Sequence, residues 1–215
     1  MYKSIVQARG PVSFPEHIGE REHMIPFTQR DGLPKRLARW QPTVDAMLAG
    51  IAVNDEMYIM IDQQFVEAGN THRRDGLHIE GYWAPQYAGH IPPPVPRPGH
   101  TWITSGIHKG RPPGHRSGDN IPDDAEWGTP EFEKHEGIFL ASNVIGCRAY
   151  AGKWSGHIGK MGDCRHIQPV NMREVILQPN RVYAGNVTML HESIPHVEDC
   201  YRTVVRLNVP NLVIR

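Results

Sequence analysis

Turn-forming residues punctuate this chain from end to end. With 21 glycines and 19 prolines among 215 residues, nearly every fifth position breaks or bends the backbone. They are spread widely and form no internal repeat, and short β-prone apolar runs recur between them. Met57–Val66, Ile138–Tyr150, Arg173–Gln178, Arg181–His191 and Tyr201–Val209 read as strands, and Leu212-Val213-Ile214 ends the chain in the same style. Only two stretches have helix start and stop chemistry: Pro42–Gly50 and Thr129–Gly137. The first forty residues show no clear period and read as an irregular arm or edge strand. The expected fold class is therefore mainly β, a sandwich or open barrel with a few short flanking helices.

A chain of this length supports one well-buried domain, so 1–215 is read as a single unit with its core over about 57–209. Residues 84–128 differ in character. Ile91–Pro98 is extended or polyproline-like, because each proline fixes φ and removes a donor. An insertion of this kind reads as a binding loop or lid. Charge balances at 23 basic and 23 acidic residues, so net charge gives no indication of a nucleic-acid partner. No apolar run approaches the roughly 20 residues that cross a bilayer, and the N-terminus lacks a signal-peptide core. Cys147, Cys164 and Cys200 form no CxxC pair and read as free thiols of a reducing, cytoplasmic compartment.

Thirteen histidines make chance pairs common, yet only His78-Ile79-Glu80 and His196-Val197-Glu198 match His-x-Asp/Glu. The second has no histidine after it; the first has several, including His191. Spacing of i, i+2 on a strand puts His78 and Glu80 on one face, as two ligands of one metal require. Two imidazoles and a carboxylate can hold a metal while leaving other positions open. Along Arg202–Val209, alternation places Arg202, Val204, Arg206 and Asn208 on one face, and Thr203, Val205, Leu207 and Val209 on the other. Alternation alone leaves the arginine face either solvated or lining an anion site, where a guanidinium fork matches a carboxylate.

Taken together, His78-Ile79-Glu80, the distal Leu190-His191-Glu192-Ser193-Ile194-Pro195 and the following Tyr201-Arg202 resemble the Fe(II)/2-oxoglutarate-dependent dioxygenases. They look most like the prolyl-hydroxylase-like and phytanoyl-CoA-hydroxylase-like branch. Glu80 stands where Asp is commoner, and the interval from His191 to Arg202 is slightly long. The resemblance implies a double-stranded β-helix, a jelly-roll or cupin-like barrel, with the metal at its mouth. It also implies Fe(II) on His78, Glu80 and His191, with 2-oxoglutarate and O2 as co-substrates. Arg202, or Arg206 as second choice, would receive the distal carboxylate, and Tyr150 could hydrogen-bond the same molecule. The implied activity is hydroxylation of a small-molecule or peptidyl C–H bond with release of succinate and CO2.

Weaker candidates for the substrate mouth are Tyr82, Trp83, Trp102 and Arg111, with His115 and Arg116 beside them. Two other readings stay open at this point. One is a cupin-type metal enzyme that uses no 2-oxoglutarate; the other is a non-enzymatic β-sandwich binding or structural protein. Oligomeric state is not legible.

Overall fold

The recurring β-prone runs fold into two antiparallel sheets in a computed structural model that describes residues 1–80, 136–159 and 162–215. In chain order the strands are β1 (Tyr2–Ser4), β2 (Val6–Pro11), β3 (Arg21–Phe27), β4 (Met57–Val66), β5 (Glu136–Ser142), β6 (Cys147–Trp154), β7 (Arg173–Ile176), β8 (Arg181–Asn186), β9 (Leu190–Ser193) and β10 (Cys200–Pro210). A 3-10 helix, Lys35–Trp40, runs directly into the short helix α1, Gln41–Met47. The larger sheet has the order β2-β8-β5-β10-β4-β3, and the smaller is built on β6, which pairs with β1, β7 and β9.

Alternation decides which face of each strand is buried against what. On β10, Val205, Leu207 and Val209 join Ile59 and Ile61 of β4 in a core closed by Leu37, Trp40, Val44 and Met47. Each large side chain removed from water there contributes roughly 1.5–3 kcal/mol. The opposite face of the larger sheet turns toward the smaller one, where Ile138, Leu140 and Tyr183 meet Ala149, Leu177 and Met189. Arg202, Val204, Arg206 and Asn208 lie on this inner face of β10, and all four are buried.

Pairing between segments is nested. β4 pairs with β10, His78 bridges His191, β5 pairs with β8, and β6 pairs with β7. Among the described segments between β4 and β10, each of these pairs lies inside the one before it in sequence.

Met57–Val66 and Tyr201–Val209 form strands where the sequence indicates, but two longer expected strands are broken. Ile138–Tyr150 divides at Asn143, whose side chain accepts from Thr203 N–H (2.7 Å) and donates to Tyr201 O (2.9 Å). Arg181–His191 divides at Asn186, which accepts from Ile5 N–H (2.9 Å) and donates to Lys3 O (2.7 Å) and Thr188 Oγ1 (2.8 Å). At both corners an asparagine satisfies backbone groups that the ladder abandons as the chain passes to the other sheet.

Other expectations are corrected more simply. The N-terminal region supplies both edges of the larger sheet, β2 and β3, besides β1. Leu212 and Ile214 pack on the core without pairing as a strand. Helix α1 begins at Gln41 and is preceded by a 3-10 turn, and Gly50 sits beyond it at φ +76°. Of Thr129–Gly137, Glu136 and Gly137 begin β5, and the remainder lies outside the described residues, as does the 84–128 insertion. Among the described residues no helix is long and apolar enough to cross a membrane.

The Asn186 corner generates a stability prediction. Asn186→Ala takes the acceptor from the Ile5 N–H, while Lys3 O keeps its bond from Thr188 Oγ1, and is expected to cost about 1–3 kcal/mol in urea unfolding. A loss under about 1 kcal/mol would remove the corner from the account.

Candidate metal and anion site

The short segment after β4 is held from both sides. His78 N–H donates to His191 O (2.9 Å) and His191 N–H returns a bond to His78 O (3.0 Å). On the other side Ile79 N–H reaches Gly162 O (2.9 Å), and Cys164 N–H reaches Leu77 O (2.8 Å). A side chain at Gly162 could not fit, because a Cβ would come within 2.3 Å of Ile79 O. Leu77 and Ile79 point into a cluster with Tyr150, Trp154, Cys164 and Leu190. Period-2 alternation then turns His78 and Glu80 the other way, toward His191.

Both imidazoles are fixed in the tautomer a metal needs. His78 Nδ1 lies 2.7 Å from Gly76 O, and His191 Nδ1 lies 2.9 Å from Met189 O. A carbonyl only accepts, so each Nδ1 carries the proton and each Nε2 keeps a free lone pair. Those Nε2 atoms lie 3.8 Å (His78) and 3.7 Å (His191) from Glu80 Oε1. Two metal–ligand bonds of about 2.1 Å span up to about 4 Å, so both gaps fit one ion between them. The three ligand atoms all lie within 4.8 Å of one another, and the group could hold a metal ion.

Electrostatics favour the ligating states. Burial, then repulsion from His191, keeps the His78 imidazole well below its usual range and hence neutral. Burial pushes the Glu80 carboxyl up, but the Arg206 guanidinium outweighs it and holds it well below the usual carboxylate range. Arg206 Nη1 pairs with Glu80 Oε2, which leaves Oε1 facing the histidines. Arg206 Nη2 lies 3.4 Å from Met24 Sδ.

Arg202, on the same face of β10, is bonded differently. Its Nε donates to Ser142 Oγ at 3.2 Å, while Nη1 is buried with no hydrogen-bond partner among the described residues. No carboxylate pairs with it there, although the residue is only 2 % exposed. Burial pulls its pKa down to about 10, so it remains a cation at neutral pH. Gly146 lies against its guanidinium, where a Cβ would come within 2.6 Å of Cζ. Arg202, Arg206, His78, Glu80 and His191 all line one cavity between the sheets.

Other candidates fall elsewhere. The Tyr150 ring packs in the cluster behind the His78 segment, with its hydroxyl 3.5 Å from Glu192 Oε1, and it does not line the cavity. Tyr82, Trp83, Trp102, Arg111, His115 and Arg116 lie outside the described residues. His196, of the second His-x-Glu, sits 3.4 Å from Cys200 Sγ through Nδ1. The three cysteines are free, and Cys147 lines the cavity with its thiol pushed up to about 12 by burial. Sequence reasoning did not find Arg73, which also lines the cavity. It stands between two candidate strands, where no periodicity assigns it a face.

No protein-family model, curated protein or solved structure matches the chain. The site is therefore defined by its own geometry.

That geometry predicts the metal ligands. His78→Ala and His191→Ala are each expected to weaken Mn(II) binding, read by calorimetry, by more than about 100-fold, beyond the loss typical of outer-shell changes. His196→Ala should bind as the wild type does. Unchanged affinity in His78→Ala would remove that residue from the site.

Proposed function

We propose that the chain is an Fe(II)- and 2-oxoglutarate-dependent oxygenase that hydroxylates a C–H bond of a small molecule or an amino-acid- or nucleoside-type substrate. The observation that carries this reading is the pairing, in one cavity, of two tautomer-fixed imidazoles and a carboxylate with a buried cation, Arg202, that has no carboxylate partner among the described residues. Bound iron would supply oxygen activation coupled to oxidative decarboxylation of the co-substrate.

The chain's own residues hold and orient. His78, Glu80 and His191 would take one side of the ion and leave its other positions open. Arg206 fixes the carboxylate of Glu80 through Nη1, while its Nε is buried without a hydrogen-bond partner among the described residues. Arg202 would receive the distal carboxylate of 2-oxoglutarate, since a buried unpaired guanidinium is costly and a carboxylate matches its fork. Apolar lining residues such as Met60, Leu140 and Val204 limit water around the reacting groups.

The nested pairing supports the finer fold reading, a double-stranded β-helix. Winding one long hairpin produces alternating membership of two facing sheets, the wiring of jelly-roll and cupin folds. On that reading the His78 segment and β9 sit side by side at the mouth, with β10 opposite.

Succinate release on supplying Fe(II), 2-oxoglutarate and oxygen tests the activity, and its absence from iron-loaded protein contradicts it. Arg202→Gln is expected to raise the 2-oxoglutarate requirement about tenfold or more while leaving metal affinity intact. Arg206→Gln should instead weaken metal binding through Glu80. The opposite ranking would move the anchor to Arg206.

A further inference from the structure

Asp62 belongs to β4 and lies directly opposite Val204 of β10, midway between Arg202 and Arg206. It is nearly inaccessible to solvent, and two guanidiniums share it. Arg21 Nε donates to Oδ1 at 2.9 Å, and Arg73 Nη1 donates to Oδ2 at 2.8 Å. Gln64 Nε2 adds a third bond to Oδ1 at 2.9 Å. His72 Nε2 stands 3.3 Å from the same oxygen, but burial keeps that imidazole neutral, with its pKa lowered to about 4. Asp62 thus serves as a brace that holds Arg73 against the cavity wall beside the arginine face of β10.

The brace uses only part of Arg73. Among the described residues its guanidinium makes one hydrogen bond, Nη1 to Asp62, and the residue lines the cavity together with Arg202. Among the described residues Asp62 faces Arg21 and Arg73, Glu80 faces Arg206, and Arg202 has no carboxylate partner. Lining the same cavity, the guanidiniums of Arg73 and Arg202 present a planar anion with two forks.

We infer that Arg73 and Arg202 together form a two-guanidinium seat for a carboxylate group, braced by Asp62. The seat deepens the oxygenase reading, since it would hold the distal carboxylate of the co-substrate, and to that extent it rests on that reading. As an anion site, however, it is assembled without a metal, because none of its three residues is among the proposed ligands.

The test uses the chelator-treated, metal-free full chain and succinate as the probe, titrated by calorimetry. Wild-type protein should bind succinate, and Arg73→Gln and Arg202→Gln should each weaken that binding about tenfold or more. Thermal melting checks that each variant folds. Should Arg73→Gln unfold, Arg73→Lys keeps a charge beside Asp62 but loses the fork, and it is expected to bind succinate more weakly than wild type. Wild-type affinity in the folded Arg73 variant overturns the inference, as does a wild-type protein that fails to bind succinate. Failure of the metal-centre reading gives a different pattern: no metal binding, with the succinate result unaffected.

Discussion

The two backbone hydrogen bonds exchanged by His78 and His191 are the constraint on which the site depends. They clamp a short segment that belongs to no long strand against β9, and they bring the rings to a centroid separation of 4.3 Å. Each Nδ1 is then taken by a nearby backbone carbonyl, so the fold itself selects the tautomer. The same clamp sends Leu77 and Ile79 into an apolar cluster and thereby turns Glu80 toward the histidines. Without this bridge nothing would hold the His78 and Glu80 lone pairs convergent with that of His191 on β9.

Behind that clamp, buried positive charge shapes the cavity. Removing a guanidinium from water is costly unless it is paired. Arg206 is paired with Glu80, which simultaneously aims one carboxylate oxygen at the imidazoles. Arg21 and Arg73 share Asp62. Arg202 stands apart, with a serine hydroxyl as its hydrogen-bond acceptor among the described residues. A protein that buries such a group gains stability when an anion enters, so the unspent guanidinium and the metal-ready triad point to ligands of complementary charge in the same cavity.

Much of this was legible in sequence where periodicity is strong. Met57–Val66 and the two faces of β10 follow from alternation, and the spacing of His78 and Glu80 already placed them on one face. Legibility failed at the corners. Val144 and Ile145, like Val187 and Thr188, are β-formers in composition, so nothing local announces that Asn143 and Asn186 take over hydrogen bonds from the ladder. Missing the Asn143 corner also obscured the facing of Tyr150, because alternation cannot be counted through a break. The N-terminal strands are short edge elements whose partners lie far along the chain. Arg73 owes its place to Asp62, a tertiary contact that no motif spacing encodes.

The central claim is that metal and dicarboxylate share one cavity and contact one another there. The most direct measurement is the affinity of 2-oxoglutarate with and without saturating Mn(II), taken with oxygen excluded. Shared occupancy predicts binding at least about tenfold tighter with the metal, and by linkage an equal gain in metal affinity when 2-oxoglutarate is present. Identical affinities in the two conditions would contradict the account, because they would place the anion and the metal in independent sites.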